Sequence, residues 1–451
     1  MAVSLLNLLG GDLAALAHDA LGEFCRRSRQ GPVVPLRIGR KRAYLVSDPT
    51  IVRHVLLDNF RNYDKRTQAF EGVRVVLGNG MLTADGPFWK RQRRIAQPAF
   101  HGESVKRFGP IISRMADACR HDWERAATAG KPVDACADMM RVTLQAISLT
   151  LFGDDLAGDT DTIGRVFPDI LACLAARVSS PFRAPLWMPT ANNRRLKPAL
   201  ATLTGIVDRL IAAKRQRLQA TTSEDFRDLL TILMATRDEE SGEAMTDAQL
   251  RDEVMTMMIA GHETTANALA WLWVLLDRHP DEQERLRDEL RMVTGGQPPT
   301  VDDVAKLPRL KAVIQETLRL YPPVWMFDRR ALGPDTLNAT RVVAGDLVIF
   351  CPYAIHRLPE LWPDPETFRP ERFEPGQEEQ KNKFAYLPFG AGPRTCLGNS
   401  FAMIESQIIA GTLLAAFRCR LAEPDPITPR PRVTLRTSRP VLLELERAPL
   451  A

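Results

Sequence analysis

The hydrophobic pattern divides the chain into a large helical part and a smaller strand-rich part. Apolar residues recur at helical spacing through most of the sequence. Thr246-Asp247 is a start signal and His279-Pro280 a stop signal for the longest of these segments. The pattern predicts helices at about 48–58, 88–96, 104–128, 135–152, 160–178, 194–219, 223–236, 246–278, 280–293, 308–320 and 399–417.

Alternating apolar residues predict strands near both ends of the chain and in a third region that begins at about residue 324. They indicate a small β subdomain from about 33–62, 324–355 and 430–448, with the remainder of a single domain (1–451) forming a helical body. Glycines or prolines interrupt three further segments, 66–87, 179–193 and 359–377, which we expect to be irregular. The predicted fold class is therefore mainly α with a small β subdomain.

The composition is that of an ordinary globular protein, with 45% hydrophobic and 25% charged residues. The net charge of +5 arises from 60 Lys and Arg against 55 Asp and Glu. These charges are too balanced and too scattered to favour nucleic acid as a ligand. A basic patch that faces an acidic redox partner is compatible with them.

The seven cysteines are few for 451 residues, and no Cys-x-x-Cys pair occurs. Their odd number and low density indicate neither a disulfide framework nor a zinc site, and are typical of a cytoplasmic protein. The leucine-rich run within Met1–Arg27 is broken by Gly10-Gly11-Asp12. It therefore predicts no transmembrane anchor and no signal peptide, and leaves contact with a membrane surface open.

A glycine-rich loop, Phe389–Gly398, combines one arginine, Arg394, with one thiol, Cys396. The apolar segment 399–417 follows, so Cys396 lies just before a predicted helix N-terminus, where a thiolate is favoured. This arrangement suits haem, with the sulfur on the iron and the guanidinium on a propionate. The alternative is a structural cysteine in a surface turn.

The loop resembles the haem-binding motif of the cytochrome P-450 family, Phe-x-x-Gly-x-Arg-x-Cys-x-Gly, at every fixed position. The resemblance extends to the predicted element order over nearly the whole chain. It implies the P-450 fold, with heme b held between the long central helix and the loop and helix of the Cys ligand. It also implies that Phe389, Arg394, Cys396 and Gly398 bind the cofactor, with Cys396 on the metal.

The long helix contains Ala260-Gly261-His262-Glu263-Thr264-Thr265, in which small residues allow a ligand to lie close to the helix. An adjacent acid and hydroxyl can pass protons to a bound ligand. The segment is similar to the oxygen-activation motif of the family, which implies catalytic roles for Ala260, Gly261, Glu263 and Thr264. The alternative is a polar kink in which a threonine bonds the carbonyl four residues earlier. His262 is expected to face the surface or a partner helix.

Glu316 and Arg319 lie three residues apart on one predicted helix face, a spacing that is also common in surface ion pairs. Their position before the strand block resembles the Glu-x-x-Arg motif of the family. The resemblance implies a buried triad whose third member is Arg372. Trp89 and Arg93, four residues apart, resemble the Trp-x-x-x-Arg pair that binds the haem propionates, although a solvated basic helix is the simpler explanation for Lys90, Arg91 and Arg94.

Three further assignments complete the expected site. Arg329, in preference to Arg330, is implied as a propionate ligand on the first strand after the Glu-x-x-Arg helix. Cys351-Pro352 is a weaker haem-ligand candidate, because it lacks the surrounding glycines and arginine. The resemblance places Leu82, Ala260, Thr264 and Val324 in the substrate pocket, within an apolar lining that also includes Trp325 and suits a lipophilic ligand.

These observations predict a haem-thiolate monooxygenase, soluble and cytoplasmic, monomeric and of bacterial type. It would hydroxylate or otherwise oxidise a fatty acid, terpenoid or polyketide. Its two electrons would come from NAD(P)H through a separate ferredoxin or flavodoxin, because the chain shows no nucleotide-binding glycine motif. The alternatives are a peroxide-driven peroxygenase or isomerase, which usually lacks the acid–alcohol pair, and a non-catalytic haem sensor or carrier.

Overall fold

The computed structural model describes residues 12–38, 41–100, 102–153, 159–179, 184–220, 228–377 and 382–448. The chain forms two compact units. Unit 1 comprises Met1–Ala69, Lys311–Cys396 and Thr428–Arg436. Unit 2 comprises Phe70–Leu310, Leu397–Ile427 and Thr437–Ala451. The assignment of 1–451 to one domain stays a prediction.

A five-stranded sheet forms the centre of unit 1. Its strand order is Val33–Ile38, Lys41–Val46, Leu347–Phe350, Phe327–Ala331 and Tyr63–Asp64. The second and third strands run parallel, whereas the other pairs are antiparallel. Because one apolar cluster contains Val348 and Phe350 and another contains Leu347 and Ile349, both faces of the sheet are covered. This explains the continuous apolar run of that strand.

The remaining elements of unit 1 are short. Its helices are Leu13–His18, Ala20–Ser28, Pro49–Arg53, the π-helix His54–Asp58, Phe60–Asn62, Pro308–Leu320 from Lys311 onward, Pro352–Ile355, Pro370–Phe373 and Gly392–Arg394. Asp335–Leu337 and Thr340–Val342 form a small antiparallel sheet. A second two-stranded sheet pairs Pro429–Pro431 with Leu435–Thr437, whose last residue belongs to unit 2.

Unit 2 is predominantly helical. Its helices are Gln68–Leu77, Gly86–Ala96, Gln97–Phe100, Gly102–Lys106, Gly109–Thr128, Ala135–Phe152, Thr160–Ser179, Ala191–Ala220, Leu229–Ala235, Asp247–Arg278, Pro280–Thr294, Val304–Lys306 and Asn399–Ala416. A three-stranded sheet orders Val133–Asp134, Leu442–Arg447 and Phe417–Leu421. None of the helices in the described part of the chain has the length and apolarity needed to cross a bilayer.

The long helix, Asp247–Arg278, begins at a capping box in which Thr246 and Gln249 satisfy each other's backbone N–H groups. It packs along Ala135–Phe152, and Gly261 meets Ile147 so closely that a Cβ atom would lie 3.2 Å from Ile147 Cγ1. The predicted bounds of this helix, 246–278, are thus reproduced to within one residue.

Two sequence predictions need correction. Residues 68–77 form a helix rather than part of an irregular loop, because Gly72 is buried on its packed face and Gly78, at φ +56°, ends it. Within 430–448, the strand Leu442–Arg447 pairs inside unit 2 and does not join the strands of unit 1. The start of the Met1–Arg27 run and parts of the predicted 179–193 and 223–236 segments lie outside the described residues.

Candidate active site

The loop that carries Cys396 is closed at its base by hydrogen bonds to one carbonyl. The Cys396 N–H donates to Phe389 O over 2.8 Å, and the Thr395 hydroxyl donates to the same oxygen over 3.3 Å. Gly390 and Gly392 both adopt φ +69°, in the left-handed region that side chains disfavour. The short helix Gly392–Arg394 follows, and Gly398 is the N-cap of Asn399–Ala416.

Gly392 allows this loop to lie directly against the backbone of unit 1, since a Cβ atom there would come within 1.9 Å of Leu56 O. Gly392→Ala is therefore expected to destabilise the protein by ~3 kcal/mol and to reduce its cofactor content, as measured by thermal unfolding and bound-haem absorbance. Gly390→Ala is the matched control, because it has the same φ but no atom within 4 Å of its Cβ position. Equal losses in the two variants would contradict this explanation.

Cys396 differs from the other cysteines of the described chain in its exposure. Cys396 is exposed, whereas Cys119, Cys173, Cys351 and Cys419 are buried. The Cys351 thiol donates to Trp325 O over 3.3 Å, and complete burial raises its pKa far above the usual range. Cys351 is thus held as a neutral thiol in the apolar core, which argues against its candidacy as an anionic ligand.

Glu316 and Arg319 form a bidentate ion pair with no exposed side-chain surface. Arg319 Nε and Nη2 donate to Glu316 over 2.7 and 2.8 Å. The same guanidinium donates to His356 O, Pro365 O and Thr367 O over 2.8, 2.7 and 3.1 Å. All five guanidinium N–H groups therefore have acceptors, which is the condition under which a buried arginine is tolerated.

Arg372 lies beside this pair, as the resemblance implies. Its Nε is 3.5 Å from Glu316 Oε1, and its Nη2 donates to the carbonyls of Pro363 and Asp364. Glu316 Oε1 also accepts the backbone N–H of Arg369 over 2.9 Å. The three predicted triad members are thus brought together, and they connect the helix Pro308–Leu320 to the proline-rich segment after it.

The two arginines of the first strand have different surroundings. Arg330 makes a two-pronged ion pair with Asp64, at 3.0 Å from Nε and 2.5 Å from Nη2. Arg329 is buried, and its Nη1 donates to Asp328 O over 2.7 Å. Since the Arg330 guanidinium is engaged by a carboxylate of the fold itself, the geometry favours Arg329 of the two as an anion ligand.

The basic helix Gly86–Ala96 is fixed by two of its arginines. Arg94 makes a bidentate pair with Asp238 at 2.7 and 3.0 Å, and Arg91 donates to Ala244 O over 3.0 Å. The expectation that these two arginines simply lie in solvent is therefore wrong. Trp89 is buried and Arg93 half-buried on the same helix.

One short stretch of the long helix is open, although most of the helix is buried. Ala260 is exposed and Gly261 and Thr264 are half-buried, whereas every residue from Glu253 to Ile259 is buried. Ala260 and Thr264 are four residues apart and therefore share one face. The small side chain at Ala260 leaves room for a ligand to lie against this open face.

The polar residues of this stretch point to different environments. The Thr264 hydroxyl donates to Ala260 O over 2.8 Å, which is the hydrogen bond predicted by the alternative of a polar kink. Because its proton is used in this bond, the hydroxyl can still accept a hydrogen bond from another donor. Glu263 is buried. The His262 ring contacts the Phe167 ring of another helix edge-on, with the ring centroids 4.6 Å apart. Of the two environments expected for His262, the surface or a partner helix, the structure therefore shows the partner helix.

The substrate-pocket residues differ in exposure. Leu82 is half-buried and Val324 is exposed, so both have surface that can meet a ligand. Trp325 is wrongly placed in the predicted lining. It is buried in the apolar cluster of unit 1 beside Phe24, and its indole N–H donates to Arg432 O over 2.9 Å.

Sequence reasoning missed several buried titratable residues of the described chain, among them His356 and Glu405. His356 lies in unit 1 against Arg319, and Glu405 lies fully buried in the helix Asn399–Ala416 of unit 2. His356 caps the short helix Pro352–Ile355, and a single histidine at such a position carries no distinctive signal in one sequence. Glu405 stands in an apolar helix without a nearby basic partner, which is a signal of an unusual environment.

Burial raises the pKa of Glu405 to about 8 from an ordinary value of 4.5. A carboxyl group whose pKa is raised on folding stabilises the protein fully below pH 4.5, and this stabilisation is lost as the pH rises toward 8. Glu405→Gln is therefore expected to be more stable than wild type at pH 8, with a free energy of unfolding that is higher by up to about 4 kcal/mol. This difference should disappear at pH 4, where the wild-type carboxyl group is protonated in both states. Thermal unfolding at several pH values measures this, and a pH-independent difference would contradict it.

Comparison with known proteins assigns the chain to a family. The sequence model of the family described as Cytochrome P450 matches residues 7–445. The chain belongs to the cytochrome P450 family. This confirms the resemblance carried by the Cys396 loop and the long helix.

Curated members of the cytochrome P450 family match over most of their length. Cyclooctat-9-en-7-ol 5-monooxygenase of Streptomyces melanosporofaciens is 34% identical over 411 residues, which cover 91% of this chain and 87% of the relative. Pentalenene oxygenase of Streptomyces avermitilis is 32% identical, with 88% and 86% covered. The crystal structure of the cytochrome P450DA heme domain has a TM-score of 0.86 at 26% identity, with 99% and 95% covered. The mainly α fold with a small β component is thereby confirmed.

Membership of the cytochrome P450 family makes the chain an oxidoreductase of the monooxygenase type and implies a haem cofactor. The residues present fit this group. Within unit 1, Cys396 is an exposed thiol and Arg394 a half-buried guanidinium two residues earlier. Thiolate sulfur is an established ligand of haem iron, and guanidinium pairs well with carboxylate.

Proposed function

We propose that this cytochrome P450 is a haem-thiolate monooxygenase that oxidises a cyclic terpenoid. The observation that carries the reaction class is the exposed Cys396 thiol at a closed glycine loop, in a chain that matches the family over residues 7–445. The substrate class is supported by relatives whose names specify cyclooctat-9-en-7-ol and pentalenene as their substrates.

In this proposal the Cys396 thiolate would hold the iron of heme b, and the haem, when bound, would supply the activation of dioxygen. Phe389 and Gly398 bracket the ligand loop. Trp89, Arg93, Arg329 and Arg394 bind the two propionates, because an indole N–H and guanidinium groups are donors that match carboxylates. The buried Glu316–Arg319–Arg372 triad maintains the unit that presents Cys396.

Proton delivery is assigned to Glu263 and Thr264. Because the Thr264 proton is donated to Ala260 O, the hydroxyl oxygen serves as an acceptor that orients a water or a ligand proton at the open helix face. Glu263, the adjacent buried carboxyl, is the residue that exchanges protons with water. The small side chain of Ala260 leaves the open face accessible, and Gly261 lets the long helix pack closely against Ile147. Leu82 and Val324 supply apolar contact for the substrate.

The electrons are proposed to come from NAD(P)H through a separate ferredoxin or flavodoxin. A net charge of +5 suits an acidic carrier of this kind. The cytoplasmic location and the monomeric state stay predictions.

Optical titration of the haem-loaded protein tests the substrate class. A cyclic sesquiterpene such as pentalenene is expected to shift the ferric haem to high spin at micromolar concentration. A saturated fatty acid with the same number of carbon atoms is the matched probe and is expected to bind at least about tenfold more weakly, a difference of 1.4 kcal/mol. Preference for the fatty acid would overturn the terpenoid assignment.

The reaction class is tested by turnover of the same terpene. Oxygenated product should form with NAD(P)H, a ferredoxin reductase and a ferredoxin, and mass spectrometry should show one atom from labelled dioxygen. Product that forms with hydrogen peroxide but never with a competent donor system would favour the peroxygenase alternative.

A further inference from the structure

His356 occupies a fully buried position in unit 1, and both of its ring nitrogens have backbone partners. The Leu387 N–H lies 2.8 Å from Nε2, and Arg319 O lies 3.0 Å from Nδ1. Because a backbone N–H can only donate, Nε2 is the acceptor, so Nδ1 carries the hydrogen and donates to Arg319 O. Burial lowers the pKa of His356 to about 3, which keeps the ring neutral and this single tautomer in place.

The contact between His356 and Arg319 is reciprocal. The ring of His356 donates to the backbone carbonyl of Arg319, and the guanidinium of Arg319 donates to the backbone carbonyl of His356 over 2.8 Å. Two hydrogen bonds, one donated by each residue, thereby join the end of the Glu-x-x-Arg helix to His356. The buried Glu316–Arg319 pair and His356 therefore form one rigid cluster.

The other ring nitrogen of His356 reaches the chain that leads into the ligand loop. Leu387 precedes Phe389 by two residues, and Phe389 O accepts the N–H of Cys396 over 2.8 Å. Tyr386 packs on the same imidazole at a ring distance of 5.4 Å. The path from Arg319 to the Cys396 loop thus runs through one side chain and three hydrogen bonds: His356 Nδ1 to Arg319 O, Leu387 N–H to His356 Nε2, and Cys396 N–H to Phe389 O.

We propose that His356 is a positioning residue for the Cys396 thiolate, and that it acts through its Nε2 hydrogen bond to Leu387. The inference rests on the proposed haem-thiolate function. It assigns to the imidazole a specific role in holding the start of the loop, in addition to its packing with Trp362 and Tyr386.

Two substitutions separate the two ring contacts. In His356→Gln the side-chain amide oxygen can reach the position of Nε2 and accept from Leu387, whereas in His356→Asn the shorter amide reaches only the position of Nδ1. The absorption spectrum of the reduced carbon monoxide complex reports thiolate ligation without requiring turnover. Tyr386→Phe is the control, since it removes a hydrogen bond to Gln315 O from the same cluster and leaves both ring contacts.

The proposal predicts that His356→Gln and Tyr386→Phe keep the thiolate spectrum. It predicts that His356→Asn loses thiolate ligation at least about tenfold relative to His356→Gln, because a buried N–H is left without an acceptor. Equal spectra in the two His356 variants, whether intact or lost, would overturn the proposal, as would greater loss in His356→Gln. A wild-type protein without thiolate ligation would instead overturn the proposed function.

Discussion

Replacement of Cys396 by serine is expected to eliminate thiolate ligation and to reduce turnover by more than about a hundredfold. Loss of a supporting partner around a metal site alone costs 10–100-fold, and this variant removes the proposed ligand itself. A serine hydroxyl stays protonated at neutral pH and cannot supply the electron density of a thiolate. The measurements are the spectrum of the reduced carbon monoxide complex and product formation with a ferredoxin donor system.

Cys351→Ser is the matched control for this variant. Cys351 is completely buried, and its thiol already donates to Trp325 O, a hydrogen bond that a serine hydroxyl can reproduce. The spectrum of Cys351→Ser should therefore equal that of wild type. Thiolate ligation that survives in Cys396→Ser, or disappears in Cys351→Ser, would show that the ligand is misassigned.

Glu316→Ala and Arg319→Ala are expected to yield protein without bound haem. Each change leaves the other charge buried without its partner, at a cost of about 3–5 kcal/mol, which is a large part of the stability of a typical domain. The Arg319 guanidinium also holds the carbonyls of Pro365 and Thr367, so the damage extends into the segment after His356. The ratio of haem to protein after purification and the thermal midpoint measure the effect.

The exposed Arg418–Glu284 pair provides a control of the same chemistry. The Arg418 and Glu284 side chains are 45% and 44% exposed to solvent, and Arg418 Nε lies 2.6 Å from Glu284 Oε1. Removal of Arg418 should change stability by at most about 1 kcal/mol, because exposed pairs are worth little. Normal haem content in Glu316→Ala or Arg319→Ala would contradict the structural role given to the buried pair.

The parts of the molecule that local sequence determines were predicted well. The long helix has its N-cap at Thr246 and its C-cap at His279, where a capping signal and a proline mark its two ends. The Cys396 loop is identified by glycine positions whose left-handed backbone angles only glycine adopts readily. Such features depend on a few adjacent residues and are therefore readable without the fold.

The errors concern features that depend on partners distant in sequence. Gly72 weakens the helical pattern of residues 68–77, but burial of that face stabilises the helix regardless. In the sequence Trp325 continues the apolar run of Val324, but in the structure it packs against Phe24, some three hundred residues earlier. The role of His356 is equally hidden, because its ring partners lie 37 and 31 residues away.

Side-chain partners also differ between neighbours that the sequence could only rank, although the assignment of Arg329 to a propionate stays a prediction. Arg329 and Arg330 are adjacent on one strand, and the bidentate pair of Arg330 with Asp64 distinguishes them. Arg91 and Arg94 do not simply lie in solvent, because they bind Ala244 O and Asp238 and so hold their helix in place. In each case the pairing residue is remote in sequence, so charge patterns alone could not reveal it.

The most direct test of the haem-thiolate assignment is the absorption spectrum of the purified wild-type protein, reduced and exposed to carbon monoxide. We predict a Soret band shifted far to the red, which is the signature of thiolate ligation and identifies Cys396 as the ligand once the serine variant lacks it. A band at the position typical of imidazole or thiol ligation, or protein that binds no haem, would contradict the assignment.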